Sequence, residues 1–428
     1  MRVYSNFVYE RWFSSIEVNG ENNISEGEPV IFAPNHQNGL IDAMALLSSS
    51  PEPVVFWVRA DLFKNPVVGF ILRSLKMMPA YRLRNGFGNL KKNEESMQNS
   101  DDVLTHGRYL CLMPEGGQDE KRRLRPLVKG IFRSAFSAQE KITDGKWVKI
   151  IPVGIDYGNY DKSGRHLVVN FGKAINIKDY KVMHDENAPV ALNNIKDELS
   201  KRMRPLMLDI QSEEHYQTFY TASYLYGFPM LEEMNCSDNE TNRLAARKKV
   251  VELLDKAEND ARCADLIEEL TKTCSAWDEK HPDTAFSARI QEEEDKVDAN
   301  LVTQILYLII TSPLFVYSVV INGLVYLLCK KMGKKAHAGF EASLKWGSAG
   351  IFFPLLYVVE TVVFAHFSPN TLSTVLFALT LPFSFFFFQR YRWKFQYVKE
   401  RVKNIVNKYE EPSRVVAIVG RIKSIIEQ

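Results

Sequence analysis

The sequence predicts an α/β domain with a mixed sheet and flanking helices, followed by a helical insert and by C-terminal membrane helices. Over roughly the first 210 residues, short runs rich in Val, Ile and Phe alternate with helix-prone segments. This alternation is typical of a sheet with helices packed on it. Charged, helix-prone segments then occupy residues 213–300, and the chain becomes strongly apolar from Leu301.

These changes of composition divide the chain of 428 residues into four parts. A chain of this length exceeds one ordinary domain, so we expect a core domain with appended pieces. The predicted parts are a first domain at 1–212, a helical insert or linker at 213–300, a membrane-associated region at 301–390 and a basic amphipathic tail at 391–428.

Charge and cysteine usage exclude several classes of protein. The net charge is +2, from 54 basic and 52 acidic residues, so no overall field indicates a nucleic-acid partner. The five cysteines lack paired spacing and the eight histidines lack metal-binding spacing. We therefore expect a reducing compartment and no metal site. The amino terminus resembles no signal peptide, which predicts that the first domain stays on the cytoplasmic face.

The stretch Asn35–Asp42 carries the first candidate site. It follows the apolar run 29–33, which predicts a buried strand, and it precedes a helix-prone segment. His36 is therefore expected at the mouth of a strand and Asp42 in the first turn of a helix. A carboxylate that fixes the imidazole tautomer leaves the other ring nitrogen free to act as a general base toward a hydroxyl. The alternative is a surface histidine beside a helix-capping aspartate.

Three further motifs follow the His36 stretch in order. They are Pro79-Ala80-Tyr81-Arg82, Met113-Pro114-Glu115-Gly116-Gly117 and Ile151-Pro152-Val153. Together the four motifs resemble those of the glycerolipid acyltransferases, over roughly residues 10–210. The resemblance implies that His36 and Asp42 are catalytic and that Arg82 binds a phosphate of the acceptor.

The sequence departs from the usual family pattern at two places. Five residues separate His36 from Asp42 where the family usually has four, and Gly117 is followed by Gln118-Asp119-Glu120 where Thr-Arg usually follows the Glu-Gly pair. Both departures resemble the branch of the yeast glycerol-3-phosphate/dihydroxyacetone-phosphate acyltransferases. The resemblance therefore implies glycerol 3-phosphate as acceptor, with lysophosphatidate as the alternative.

The candidate substrate-binding residues are basic side chains and a glycine-rich turn. Arginines at a strand end can offer planar forks to a phosphate, a Glu-Gly-Gly turn can expose backbone amides, and a lysine at a helix start adds charge to the helix dipole. These residues are Arg82, Arg84, Glu115, Gly116, Gly117 and Lys129. The resemblance implies acyl-CoA or acyl carrier protein as co-substrate and no cofactor.

Two other functions are compatible with parts of this sequence. A lysophospholipid hydrolase would need a nucleophilic serine, but the Gly-x-Ser-x-Gly pattern is absent. A membrane-tethered lipid-binding scaffold would need no catalytic pair, and His36 with Asp42 argues against it. Because a thioester is already activated, the expected transfer needs no acyl-enzyme.

Three apolar segments predict attachment to a membrane. Residues 346–367 and 371–388 are joined by Ser368-Pro369-Asn370 alone, so they predict a spanning hairpin with basic, cytosolic flanks. Since both ends of segment 301–329 then belong on the cytosolic side, we expect it to be re-entrant or interfacial, bending near Pro313. A buried soluble helix pair is the alternative. The tail after residue 394 is expected to lie on an anionic membrane surface.

Overall fold

The computed structural model describes residues 2–80, 90–292, 297–336 and 339–428. Its internal contacts divide the chain into two compact units. The first contains residues 1–160 and 166–209, and the second contains residues 161–165 and 210–428. The predicted insert, membrane region and tail therefore fall into one unit by their contacts.

The first unit is built on a mixed sheet of eight strands in the order β1-β7-β6-β2-β5-β3-β4, with β8 beside the start of β6. Strands β2 to β6 are parallel, while β7 and β8 run antiparallel to β6, and β1 follows β7. The strands are β1 Ser15–Asn19, β2 Val30–Pro34, β3 Val54–Arg59, β4 Met77–Ala80, β5 Tyr109–Cys111, β6 Lys149–Tyr157, β7 His166–Phe171 and β8 Ile175–Asn176.

Among the residues that the structure describes, six helices flank this sheet. They are α1 Arg2–Glu10, α2 Gly39–Ser49, α3 Pro66–Ser74, α4 Leu90–Thr105, α5 Gly130–Lys141 and α6 Lys181–Met203. One core cluster joins strands β2, β5 and β6 to helices α5 and α6 through Ile31, Leu110, Ile150, Phe132 and Ile195, all fully buried. The predicted mixed sheet with flanking helices is thus confirmed. Strand β1, a five-residue strand with no fully buried residue, was not predicted.

The order of the central strands determines which loops meet. Strands β6, β2 and β5 are neighbours and parallel. Their carboxyl ends therefore lie at one edge of the sheet, where ligand sites of α/β proteins usually form. His36 follows β2, Glu115 follows β5, and Tyr157 is the last residue of β6.

The second unit is helical. Its helices are α7 Tyr216–Leu225, α8 Gly227–Glu233, α9 Glu240–Glu258, α10 Ala264–Lys280, α11 Thr284–Gln291, α12 Ala299–Ile310, α13 Ser312–Lys334, α14 Glu341–Phe367, α15 Thr371–Asn407 and α16 Glu411–Ile426. Within the described residues, α13, α14 and α15 are long and apolar enough to cross a membrane. Segment 301–329 is divided at Thr311, two residues before Pro313, into α12 and α13.

The C-terminal tail differs from its prediction. Helix α15 continues from the hairpin to Asn407, and α16 then packs against α10. The apolar face of α16 consists of Val415, Ile418, Val419 and Ile422, which are all buried. This face is covered by protein, so it is not available to a membrane surface as the sequence pattern predicted.

Candidate active site

The His36 and Asp42 side chains meet at the carboxyl end of β2. Nδ1 of His36 lies 2.9 Å from Oδ2 of Asp42, and the imidazole is 17% exposed whereas the carboxylate is 1% exposed. An ionised carboxylate only accepts hydrogen bonds, so Nδ1 carries the proton and Nε2 carries the lone pair. The alternative of a surface histidine beside a capping aspartate does not describe this geometry, since Asp42 is fully buried.

The Asp42 carboxylate is surrounded by donors. The backbone N–H groups of Gln37 and Asn38 each donate to Oδ2 at 2.8 Å. On the other side, the Tyr157 hydroxyl donates to Oδ1 at 2.6 Å. Together with the Nδ1–H of His36 these bonds compensate the burial of the charge, which would otherwise be costly. The local chain therefore folds around Asp42, and the position of the imidazole follows from it.

Glu115 holds the same loop from the side of β5. Its Oε1 accepts the backbone N–H of His36 at 2.9 Å, and its Oε2 accepts the Arg125 backbone N–H at 3.2 Å and the Arg125 Nε at 3.1 Å. The carboxylate is 2% exposed. Both oxygens accept hydrogen bonds from protein donors, so Glu115 holds the backbone of His36 in place.

The two glycines after Glu115 form a turn that other residues would strain. Gly116 has φ of 65°, and a Cβ there would lie 3.1 Å from a methyl group of Val128. The carbonyl of Gly117 accepts from the Arg125 guanidinium. Next to this turn, the side chain of Gln118 accepts the Gly39 backbone N–H at 3.1 Å, at the start of α2.

The basic loop after the turn contributes a buried arginine. Arg122 forms an ion pair with Asp156, and both side chains are 2% exposed. Its guanidinium also donates to the Tyr157 carbonyl and lies over the Tyr160 ring, 4.9 Å from the ring centroid. The Tyr160 hydroxyl in turn donates to Gln37 Oε1 at 2.9 Å. This arginine therefore connects the Glu115 loop with the end of β6.

Of the basic residues predicted to bind phosphate, the structure describes only Lys129. Arg82 and Arg84 lie outside the described residues. Lys129 immediately precedes α5, where its carbonyl accepts the Arg133 N–H at 3.2 Å. The Lys129 ammonium has no partner among the described residues, which leaves it available at the helix N-terminus. In the same described part of the chain, no three His, Cys, Asp or Glu side chains cluster as metal ligands.

Burial is the main cause of the pKa shifts of side chains around the His36–Asp42 pair. It raises the pKa of Tyr157 and of Tyr9 well above the usual tyrosine value, and the Asp42 charge raises both further. The pKa of Cys111 rises for the same two reasons. Burial also raises the pKa of Glu115, although hydrogen bonds from His36 and Arg125 oppose the rise. Tyr157 and Tyr9 therefore stay protonated, and Tyr157 remains a donor to Asp42 at neutral pH.

Sequence reasoning did not find Tyr157, Arg122 or Arg125 as residues of the site. The strand predicted at 149–155 stops two residues short of Tyr157, and nothing in the neighbourhood of Tyr157 relates it to Asp42, which lies 115 positions earlier. In sequence, Arg122 and Arg125 belong to the basic run 121–125, a pattern that is usually a solvated loop. The signal that separates them from their neighbours is the buried partner that each one has, and only the fold shows that partner.

Comparisons with known proteins agree with the motifs. Residues 15–156 match the family model described as Acyltransferase, which confirms the resemblance over that range. Glycerol-3-phosphate O-acyltransferase 1 of Saccharomyces cerevisiae (strain ATCC 204508 / S288c) is 26% identical over 178 residues, covering 39% of this chain and 22% of the relative. The match therefore spans less than a quarter of the length of that relative.

A solved structure also aligns with part of this chain. The 1-acyl-sn-glycerophosphate (LPA) acyltransferase PlsC from Thermotoga maritima aligns with 17% identity and a TM-score of 0.35, covering 47% of this chain and 77% of that one. A similarity of this size does not by itself establish a shared fold or a shared substrate.

Proposed function

We propose that this chain, which carries an acyltransferase domain over residues 15–156, transfers a fatty acyl group from acyl-CoA or acyl carrier protein to a hydroxyl of glycerol 3-phosphate. The observation that carries the proposal is the Nδ1 to Oδ2 contact of 2.9 Å between His36 and Asp42, with Nε2 left for a substrate. The acceptor is suggested by the spacing of the His36 motif and by the yeast relative, whose name states glycerol 3-phosphate.

In the proposed reaction, His36 takes one proton from the acceptor and later gives it to the leaving group. Nε2 of His36 takes the proton of the acceptor hydroxyl while the oxygen attacks the thioester carbonyl. Asp42 stabilises the imidazolium through Nδ1–H. The tetrahedral intermediate then expels the thiolate, which receives the proton from Nε2, so that ester and free thiol are the products. No covalent acyl-enzyme and no cofactor take part in this scheme.

Acceptor binding is assigned to positive charge. Glycerol 3-phosphate has little apolar area, so charge-assisted hydrogen bonds must hold it. We assign its phosphate to Arg82, with Arg84 and Lys129 as weaker contributors, and the turn at Gly116 and Gly117 to the wall of the acceptor site. The Lys129 ammonium, which has no partner in the described part of the chain, lies at the start of α5 and supports this assignment.

The acceptor assignment predicts a selective kinetic effect. Arg82→Ala should raise the apparent KM for glycerol 3-phosphate about tenfold or more, because a hydrogen bond between charged groups is lost. The KM for the acyl donor should change much less. Arg84→Ala and Lys129→Ala should act in the same direction and more weakly. Purified protein, one labelled acyl donor and a titration of acceptor measure these constants.

An arginine far from the motifs serves as the matched control. Arg262 is 59% exposed and pairs with Asp260, so Arg262→Ala should leave both constants unchanged. Offering lysophosphatidate and glycerol 3-phosphate in parallel decides the acceptor. Exclusive use of lysophosphatidate would overturn the assigned acceptor and keep the acyltransferase domain, whereas acylation of neither would favour a lipid-binding scaffold.

The membrane arrangement that we propose keeps the first unit on the cytoplasmic face. Helices α14 and α15 form the spanning hairpin, and the α12–α13 pair enters and returns. Helix α12 packs antiparallel along the basic end of α15, and the partners are Asp298 with Arg401, Gln304 with Lys394 and Leu308 with Tyr391. This places α12 beside the end of α15 that the positive-inside rule assigns to the cytosol.

Contacts of α13 support the proposal that the α12–α13 pair enters the membrane and returns to the same side. It runs parallel to α15, with Tyr317 bonded to Thr380 at 2.7 Å and Asn322 bonded to Ser384 at 2.9 Å. Among the described hydrogen bonds between these helices, the one at Thr380 lies nearest to the start of α15, about halfway along its apolar part. Phe315, four residues after the bend at Thr311, stacks on Tyr391 near the basic end of α15 with ring centroids 4.0 Å apart, which supports a bend that does not reach the far side of the bilayer.

This arrangement predicts the labelling of single cysteines. Cys236 is the exposed cysteine and the other four are buried, so a Cys236→Ser background is suitable. In sealed cells or vesicles, Asn370→Cys should react with an impermeant thiol reagent from outside. Lys334→Cys should react only after permeabilisation. Outside labelling at position 334 would show that the α12–α13 segment crosses the membrane.

A further inference from the structure

One hydroxyl holds the second oxygen of the Asp42 carboxylate. Oδ2 accepts three hydrogen bonds, from His36 Nδ1 and from two backbone N–H groups. Oδ1 accepts from the Tyr157 hydroxyl at 2.6 Å, and among the described residues this is its one hydrogen bond. Asp42 and the Tyr157 side chain are both buried, so water does not replace this donor.

The position of Tyr157 is fixed by its surroundings. It is the last residue of β6, where it pairs with Leu167 of β7. The buried Arg122 donates to its backbone carbonyl, and the Phe13 ring stacks on its ring with centroids 6.0 Å apart. The main chain and the ring of Tyr157 are thus both fixed by contacts other than that with Asp42. The Tyr157 hydroxyl therefore has little freedom to follow the Asp42 carboxylate if the carboxylate rotates.

A carboxylate with one anchored oxygen keeps its other oxygen in place. Rotation of Asp42 about its last side-chain bond would move Oδ2 away from Nδ1 of His36 and would break the contact with Tyr157. A proton acceptor is most effective when its partner groups are already oriented. The hydrogen bond at Oδ1 also stabilises the charge of the carboxylate, which limits how strongly it draws a proton onto the imidazole.

We propose that Tyr157 is a positioning residue for the reaction, whose hydroxyl holds Oδ1 of Asp42 so that Oδ2 orients and tunes His36. This inference rests on the proposed function, because it assigns a role relative to the His36 base. Tyr157 does not touch the reacting atoms in this role and acts through Asp42 alone.

Other titratable groups that face the pair come from α1, from β5 and from the loop that follows β5. Tyr9 of α1 and Cys111 of β5 lie near Asp42, and burial keeps both neutral. Glu115 contacts the backbone N–H of His36 and is paired with Arg125. None of these side chains donates to Oδ1 in the described structure. The Tyr157 hydroxyl is also hydrogen-bonded to that of Tyr9, so its removal changes one interaction of the His36–Asp42 pair and one of Tyr9.

The test measures the protonation of His36 without any substrate. Diethyl pyrocarbonate reacts with neutral imidazole, and peptide mass spectrometry follows the reaction at His36 in the full chain in detergent. In Tyr157→Phe the carboxylate loses a donor and binds a proton more readily, so the pH midpoint of the His36 reaction should rise by about one pH unit. An unchanged midpoint would overturn the proposal.

A matched control removes the same group elsewhere in the sheet. The Tyr109 ring is buried at the start of β5, and its hydroxyl donates to the Ser25 carbonyl at 3.3 Å. Tyr109→Phe should leave the pH midpoint of the His36 reaction at its value in the wild-type protein. An equal shift in this control would show a general effect of loosening the fold and would also overturn the proposal.

A second variant keeps the fold and changes only the strength of the donor. Tyr157→3-fluorotyrosine, introduced at the single site, makes the hydroxyl more acidic and should move the midpoint downward. If the pH midpoint of the His36 reaction is the same with 3-fluorotyrosine, the role of the hydroxyl is contradicted, even if Tyr157→Phe does not fold.

Activity gives the second readout. With the acceptor that the protein uses, Tyr157→Phe should lower kcat about tenfold and leave the acceptor KM near its original value, because the hydroxyl does not contact substrate. A raised KM with unchanged kcat would assign Tyr157 to binding and overturn the inference. Labelling as expected in a protein that does not acylate glycerol 3-phosphate would overturn the proposed function and leave the role of Tyr157 intact.

Discussion

Replacing His36 with alanine is expected to reduce acyl transfer by about 100- to 10,000-fold, the range typical for loss of a positioned general base. The imidazole is the group beside Asp42 whose Nε2 is left for a substrate proton, so no neighbouring side chain in the described structure can substitute for it. His36→Gln keeps a hydrogen-bonding side chain and should lose activity to a similar degree. Initial rates of ester formation with purified membranes measure both.

A second histidine serves as the control for this experiment. His106 lies at the exposed end of α4, where its Nδ1 contacts the Asp102 carbonyl at 2.6 Å. His106→Ala should transfer acyl groups at the original rate. All variants should appear in the membrane fraction in equal amount. Near-normal turnover in His36→Ala would refute the assignment of the base.

Breaking the ion pair between Arg122 and Asp156 is expected to destabilise the first unit strongly. Both side chains are 2% exposed, so Arg122→Met leaves a carboxylate buried without its main charged partner. Such a change typically costs about 3–5 kcal/mol of unfolding free energy. Replacing both residues, Arg122→Met with Asp156→Leu, should recover most of the loss, because no uncompensated charge then remains. Hydrogen exchange of amides on β2 and β6 measures the free energy of opening.

An exposed pair supplies the comparison. Arg59 and Asp61 contact each other at 2.8 Å, but their side chains are 53% and 49% exposed. Arg59→Met should therefore cost less than about 1 kcal/mol. Equal losses at the two sites would mean that burial does not determine the contribution of Arg122. A double variant as unstable as Arg122→Met would mean that packing around the arginine, not its charge, is what the unit requires.

Local patterns in the sequence were sufficient to predict most strands and helices of the first unit. The run before His36 is strand β2, and the segment that contains Asp42 is helix α2. Strand and helix periodicities depend on neighbours a few residues away, and therefore they can be recognised without knowing the fold. The contact between His36 and Asp42 belongs to the same class, since a single strand–loop–helix connection brings these two residues together.

Long-range partners were decided by strand order. Tyr157, Glu115 and Arg122 reach the His36 loop because β6 and β5 lie on either side of β2. Nothing in the local sequence of a parallel strand specifies its neighbours. The basic loop shows the consequence, because its arginines resemble solvated residues in sequence, yet Arg122 is buried beside Asp156.

Patterns among neighbouring residues were enough to predict the alternation of strands and helices, the proximity of His36 to Asp42 and the apolar segments long enough for a membrane, because each depends on residues close together in the chain. Packing between distant segments was needed to show that Tyr157 holds Asp42, that Glu115 holds the backbone of His36, and that the apolar face of α16 is covered by protein. An amphipathic stripe has the same pattern whether lipid or a helix covers it. Its partner is therefore determined by packing among distant segments.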